Sequence, residues 1–181
     1  SNIANLHLRL KRFDTSIPMY YDIIEKLSET SDKVAIAKAY SDLGSSYKNA
    51  GDYQQAKHYM ILALSLHRKN KDDYNAASTL HNLAELNNFL HNIEQAINYA
   101  QESITLALAQ GHSLAYVGAK YSLAIAYFYQ GKYELALKHI EESTKVIETI
   151  DYKEQLKFNL SLQALIYAAQ NKSFEAVASH R

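Results

Sequence analysis

A 40-residue spacing between small side chains limits the possible folds of this chain more than any other feature of its sequence. Two positions of the repeat hold only Ala, Gly or Ser in all five copies. The first position is occupied by Ala4, Gly44, Ala84, Ala124 and Ala164, and the second by Ser16, Ala56, Ala96, Ala136 and Ala176. A fixed period of this length indicates an array of similar units, each packed against its neighbours.

Each copy has the pattern of a pair of helices. Its apolar residues recur at intervals of three and four, as in 80–84 and again in 96–107, which is the spacing of a helix with one buried face. We expect the small residues where the two helices cross, because small side chains let two backbones approach closely. The tyrosines expected to fill the space beside the crossings are Tyr47, Tyr127 and Tyr167.

Short polar turns separate the two helices of a copy, with the sequences NAGDY, LHNIE and YQGKY. Gly51 or Gly131 can adopt the left-handed conformation that ends a helix, and Asp52 can cap the next one. The charge run HRKNKDD at 67–73 fits the same scheme, since it ends one helix with cations and begins the next with acids. It therefore predicts helix ends rather than a basic binding patch.

The chain is predicted to be all-α, because one Pro and five Gly in 181 residues provide few helix breakers. Pro18 is expected in the first turn of its helix, which places the start of that helix at Thr15 or Ser16. Histidines on the second helices, His58, His67, His139 and His180, are expected to be partly exposed. Helices are predicted at 2–11, 16–30, 33–50, 53–70, 73–90, 93–110, 113–130, 133–150, 152–171 and 173–181.

Composition excludes several classes of function. Nineteen basic residues balance nineteen acidic ones, so the net charge gives no attraction to nucleic acid. There is no cysteine, which excludes disulfides and thiol nucleophiles but leaves the compartment open between the cytoplasm and an extracytoplasmic sensor domain. No apolar run is long enough for membrane insertion. We expect residues 1–181 to form a single repeat domain that is part of a larger protein.

The repeated pattern resembles the tetratricopeptide repeat over essentially the whole chain. Leu123-Ala124, Tyr127, Gly131, Tyr133 and Ala136 follow the order of large, small and aromatic residues of that family. The usual period is 34 residues and a closing Pro is common, so the chain is similar to the long-helix, 40-residue variety found in maltose-activator-type bacterial regulators and peptide receptors. Asn87 departs from the pattern, because its position is normally aromatic; it predicts a buried polar contact or looser packing there.

The resemblance implies a right-handed superhelical solenoid with a concave face formed by the first helix of each pair. It implies that an extended peptide or protein segment binds this face, with amides holding the backbone and apolar residues holding side chains. The candidate binding residues are Lys48, Asn49, His81, Asn82, Glu85, Asn88, Phe89, Tyr121, Ile125, Phe128 and Tyr129. The alternative is that helices of the larger protein cover Leu162, Leu165 and the nearby aromatics.

No catalytic motif occurs in the sequence, and no cofactor or metal is predicted. His81 and Glu85 lie one helical turn apart, but no other His or carboxylate repeats that spacing, so a metal site is not favoured. The sequence favours a non-catalytic interaction module, with a bacterial regulatory or signalling protein as the setting that the resemblance implies. The second hypothesis is a dimerisation or spacer element that joins copies through Leu162 and Phe174.

Overall fold

The chain is described as a computed structural model for Ala4 and residues 12–30 and 32–179, with the backbone alone for 172–179. Within these residues the structure is entirely helical, as the composition predicts. The helices are α1 (Phe13–Thr30), α2 (Lys33–Ala50), α3 (Tyr53–Lys69), α4 (Asp73–Phe89), α5 (Ile93–Gln110), α6 (Ser113–Tyr129), α7 (Tyr133–Ile150) and α8 (Lys153–Ser179). None of these helices contains an apolar stretch long enough to cross a membrane.

Successive helices pack as antiparallel pairs, in the order α2 with α3, α4 with α5, and α6 with α7. The first helices of neighbouring pairs also pack against one another, so that α2, α4, α6 and α8 form one continuous layer. The second helices form the other layer. This two-layer solenoid confirms the repeat architecture predicted from the 40-residue period.

The small residues lie at the helix crossings in the three complete pairs. Ala56, Ala84, Ala96, Ala124 and Ala136 all have no exposed surface. Gly44 marks a close approach, since an added Cβ there would lie 2.7 Å from Cγ of Met60 and 3.2 Å from the backbone oxygen of Ala56. The predicted role of the two repeat positions that hold small residues is therefore confirmed for these pairs.

The last pair differs from the prediction. Helix α8 runs without interruption from Lys153 to Ser179, so the turn predicted at 171–173 is absent. The segment Gln170-Asn171-Lys172-Ser173 contains neither Gly nor Pro, and no residue there forces the backbone out of the helix. Because no second helix folds back onto α8 within the described residues, Ala164 is exposed and Tyr167 is 48% exposed. Their predicted packing roles are wrong.

The first copy is described only in part. The helix predicted at 2–11 lies outside the described residues except for Ala4, which is buried against Tyr20 and Leu43. Helix α1 begins at Phe13 and not at Thr15 or Ser16, which places Pro18 in its second turn. Phe13 aligns with Tyr53 and Tyr133, which also begin their helices, so the repeat register sets this start. Pro18 and the residue four before it both face solvent, where water can bond the carbonyl that Pro leaves free.

Aspartates begin several helices by capping them. The side chains of Asp32, Asp52 and Asp72 accept hydrogen bonds from the backbone N–H three residues later, at 3.0, 3.1 and 3.2 Å. The charge run at 67–73 ends α3 and begins α4, as predicted. His67 within it is buried, however, so its predicted exposure is wrong. Its Nδ1 lies 3.1 Å from Asp72 Oδ2, so the capping carboxylate provides a hydrogen-bond partner for the buried ring.

Asn87 occupies a repeat position that holds Tyr47 and Tyr127 in the adjacent copies. It forms the predicted buried polar contact there. The residue is completely buried, and its Nδ2 donates a hydrogen bond of 2.7 Å to the carbonyl oxygen of Leu83. The bond satisfies the buried amide within its own helix.

Left-handed backbone conformations recur every 20 residues, at the end of each helix from α2 to α7. Three of these positions hold Gly51, Gly111 and Gly131, whereas the others hold Lys71 (φ 55°), His91 (φ 56°) and Asp151 (φ 49°). A side chain in this region of φ strains the backbone by about 1–2 kcal/mol. The three non-glycine turns are therefore weak points of an otherwise regular array.

Replacing Lys71 with Gly is expected to stabilise the chain. The strain at φ 55° disappears, and the greater freedom of Gly in the unfolded chain offsets part of the gain, leaving about 0.5–1 kcal/mol. Urea unfolding followed by circular dichroism would measure it. The matched control is Gly131→Ala at an equivalent turn, which should lower the free energy of unfolding; a destabilising Lys71→Gly would contradict the strain argument.

Candidate functional site

A cavity of about 510 Å³ opens on the layer of first helices, between α4, α6 and the start of α8. Its size lies within the range of sites that hold small ligands or single side chains of a partner. Helical spacing explains the lining, since residues three or four apart on α4 and on α6 face the same space. The lining residues are His81, Glu85, Asn88, Phe89, His91, Gly118, Tyr121, Ser122, Ile125, Tyr129, Tyr152, Gln155 and Phe158.

The structure brings most of the predicted binding residues together around this cavity. Those on its lining are His81, Glu85, Asn88, Phe89, Tyr121, Ile125 and Tyr129. The predicted residues Lys48, Asn49, Asn82 and Phe128 lie outside it. Phe128 packs instead against Tyr133, with 5.9 Å between ring centroids, and contributes to the core around Ile140.

Six lining residues are absent from the predicted binding set, and three of them were missed because they lie in or just after turns. His91 occupies the left-handed position after α4, and Tyr152 and Gln155 lie at the start of α8. A pattern of first-helix positions cannot find them, since it treats turns only as connections. The one sequence signal near His91 is the aromatic residue Phe89, two positions before it. An aromatic residue directly before a polar turn can indicate that a binding surface continues into the turn.

Aromatic rings form much of the cavity wall and remain open to solvent. Phe89 is 55% exposed, Tyr129 is 53% exposed and Phe158 is 51% exposed. Tyr121 lies deeper, with its ring centroid 6.3 Å from that of Phe158. Exposed apolar side chains gathered in one concave region are typical of a binding surface.

Asn88 holds α4 against α6 at the floor of the site. It is 4% exposed, and its Nδ2 donates a hydrogen bond of 2.8 Å to the backbone oxygen of Ser122. A carbonyl only accepts, so this bond fixes which end of the amide faces Ser122. The other end, Oδ1, is buried without a hydrogen-bond partner among the described residues.

The charged group of the cavity is the Glu85 carboxylate. Its Oε2 accepts a hydrogen bond from Lys48 Nζ, which reaches across from α2. Burial raises the pKa of Tyr121, and the negative charge of Glu85 raises it further. The phenol therefore stays neutral at physiological pH, and Glu85 remains the negative group of the lining.

His81 lies beside Gly118 of the next first helix, so closely that a Cβ at position 118 would be 2.7 Å from the ring Cδ2. Its Nδ1 is buried without a hydrogen-bond partner in the described part of the chain. Burial lowers the pKa of His81 to about 4, although the nearby Glu85 charge acts in the opposite direction. The ring is therefore neutral at pH 7. No group of three or more metal-binding side chains occurs among the described residues.

A sequence profile of the tetratricopeptide repeat matches residues 35–109, which cover most of α2 to α5 and the α4 side of the cavity. The chain is similar to tetratricopeptide-repeat proteins over this segment. No curated protein matches the chain at the level of sequence.

Solved structures share the fold at low sequence identity. Aspartyl phosphate phosphatase F from Bacillus subtilis is 17% identical with a TM-score of 0.79, over 98% of this chain and 46% of that one. A Rap protein solved in complex with Competence and Sporulation Factor is 14% identical with a TM-score of 0.79, over 94% of this chain and 51% of that one. A signal transduction ATPase with numerous domains from Pyrococcus horikoshii, which has a tetratricopeptide repeat sensor, is 18% identical with a TM-score of 0.76, over 92% of this chain and 26% of that one. The chain thus spans about half, or less, of these proteins.

Proposed function

We propose that this chain is a non-catalytic scaffold of the tetratricopeptide-repeat type, which binds an extended peptide or protein segment in the cavity between α4, α6 and α8. The observation that carries the proposal is the group of half-exposed rings, Phe89, Tyr129 and Phe158, around one concavity. Rigid aromatic side chains supply large contact areas at low entropic cost, and they are frequent among the residues that dominate binding energy.

The polar groups of the cavity suit an extended backbone. The Asn88 amide and the Glu85 carboxylate lie on one helix face, between rings that can receive alternate side chains. The described residues include no nucleophile and base joined to a third orienting group in the cavity, which supports binding rather than catalysis. A single repeat domain in a larger protein, in which ligand binding changes the curvature of the repeats, is part of the same proposal.

A sensory role in a bacterial regulatory protein is the setting that we propose for this scaffold. The same solenoid occurs in a Rap protein solved with Competence and Sporulation Factor and in an ATPase with a tetratricopeptide repeat sensor. The second of these proteins is a signal transduction ATPase, which supports a sensory role by analogy of fold.

Selection from a random linear peptide library displayed on phage, followed by titration of the selected peptides, tests the proposal. Replacing both Phe89 and Tyr129 with Ala is expected to weaken these peptides at least tenfold, because each exposed ring contributes on the order of 1 kcal/mol or more when a partner covers it. Isothermal titration calorimetry would measure the dissociation constants.

The matched control replaces two exposed apolar residues that lie outside the cavity, Leu108 (65% exposed) and Tyr167 (48% exposed), with Ala. Peptide affinity should be unchanged in this control. Equal binding by the native chain and the Phe89→Ala, Tyr129→Ala variant would overturn the cavity as the binding site.

A second candidate function is assembly of two copies through the last helix. Leu162 is only 5% exposed, so the apolar face predicted there is wrong at that residue, and the side chain of Phe174 lies outside the described residues. The candidate instead depends on Leu160 (53% exposed) and Leu165 (58% exposed) on α8. Light scattering across a dilution series decides it, since a monomer at micromolar concentration would contradict the dimer.

A further inference from the structure

We propose that the cavity receives an arginine side chain of the bound segment, with the guanidinium at Glu85 and between the aromatic rings. This inference rests on the proposed function and adds the chemical identity of the residue that the cavity selects. It depends on the charge of the cavity lining, on hydrogen-bond acceptors of Glu85 and Asn88, and on the aromatic rings of the lining.

The charge of the lining favours a cation. Glu85 is the one carboxylate of the lining, and the lining contains neither Lys nor Arg. Lys48 bonds only Oε2 of Glu85, and within the described part of the chain no hydrogen bond reaches Oε1. A carboxylate can accept several hydrogen bonds, so Oε1 remains available to a second donor. The Glu85 side chain is 36% exposed, whereas that of Lys48 is 11% exposed. The carboxylate is therefore more accessible to a ligand than the ammonium.

Two further groups leave the potential of the cavity negative, since one adds the negative end of a dipole and the other carries no charge. The Asn88 Oδ1 atom has no hydrogen-bond donor among the described residues, so the negative end of the amide dipole is not compensated by them. His81 is neutral at pH 7 because burial holds its pKa at about 4. An anionic side chain would meet Glu85 and this dipole, while the nearby cation, Lys48, is largely buried and already bonded to Glu85.

The rings favour a planar cation over a compact one. Phe89 and Tyr129 present half of their surface to solvent, and Tyr121 and Phe158 line the same cavity with their ring centroids 6.3 Å apart. A guanidinium stacks on aromatic faces while its edge donates hydrogen bonds, and it is more weakly hydrated than an ammonium. Arginine can therefore contact the rings and donate to Glu85 Oε1 at the same time. Lysine can place only a point charge there.

The test uses peptides selected from the phage library that lose affinity in the Phe89→Ala, Tyr129→Ala variant. These peptides are expected to be enriched in arginine at one position. Each is then synthesised with that arginine replaced by citrulline, which has the same shape without the charge, or by lysine. Citrulline is expected to weaken binding at least tenfold, because a charge-assisted hydrogen bond is lost, and lysine several-fold.

Glu85→Gln is expected to reduce the arginine-to-citrulline ratio of affinities to about one. The matched control is Glu142→Gln, which breaks the Lys120–Glu142 ion pair outside the cavity; there the lysine is equally buried and the glutamate is 32% exposed. This control should keep the full ratio. Circular dichroism spectra of both variants verify that the fold is retained.

Several results would overturn the assignment while leaving the proposed function intact. These are cavity-dependent peptides without arginine enrichment, equal affinity for arginine and citrulline, full affinity with lysine, or equal losses in Glu85→Gln and Glu142→Gln. If the selected peptides bind the Phe89→Ala, Tyr129→Ala variant as tightly as the native chain, the proposed function itself fails.

Discussion

Lowering the pH from 7 to 4 is expected to reduce the free energy of unfolding by about 3 kcal/mol through His81 alone. Burial lowers its pKa from 6.5 to about 4 in the folded chain, whereas the unfolded chain keeps the ordinary value. Between these two values the unfolded state binds more protons than the folded state, so acid favours unfolding. The contribution is fully present above pH 6.5 and falls by about 1.4 kcal/mol per pH unit until pH 4.

Three other histidines act in the same direction. Burial lowers the pKa of His67, His112 and His139, although the carboxylates of Asp72 and Glu142 oppose the shift at the first and the last. The whole chain should therefore lose more stability in acid than His81 alone accounts for. Urea unfolding at pH 7, 6, 5 and 4, followed by circular dichroism, measures the total.

The variant His81→Gln isolates the contribution of one ring. It removes the titrating group, so its stability should fall by about 3 kcal/mol less than that of the native chain between pH 7 and 4. His58→Gln is the control, since His58 is exposed on α3. Parallel pH profiles for the native chain and His81→Gln would show that protonation of this ring does not drive acid unfolding.

Most of the fold could be predicted because the same pattern of small, apolar and turn residues recurs in each copy of the repeat. The small residues at 44, 84 and 124 report the helix crossings three times over, and the capping aspartates and left-handed glycines mark the turns. Helix ends from α2 to α7 follow within one residue. The prediction failed at α8, where the period suggested a turn that no local residue enforces. A repeat seen in sequence shows where units align, but a turn also needs a residue that ends the helix.

The candidate site could be predicted only in outline. Family positions on α4 and α6 identified the faces that line the cavity, because helical spacing fixes which side chains share a face. They could not show that Lys48 bonds Glu85, or that Phe128 packs into the core, since both depend on how neighbouring helices are placed. The neutral state of His81 was also beyond sequence, because it depends on burial against neighbouring helices, including the contact with Gly118 from another repeat.

Ala124→Leu is expected to reduce the free energy of unfolding by about 1–3 kcal/mol, because a larger side chain at a close helix crossing forces the helices apart. Ala124 has no exposed surface and packs in one cluster with Ala136, Ile140 and Leu162. Any space for three extra carbon atoms must come from separating α6 from α7. Chemical denaturation of the variant would give the loss in stability.

The chain provides its own control for this substitution. Ala164 occupies the same column of the repeat one period later, but it is exposed on α8 because no returning helix covers it in the described structure. Ala164→Leu should change stability by no more than about 0.5 kcal/mol, as is usual for surface positions. The same repeat position is therefore expected to give a large loss of stability at Ala124 and almost none at Ala164. Equal losses of stability would show that this position acts through helix propensity rather than through the packing of one helix on the next.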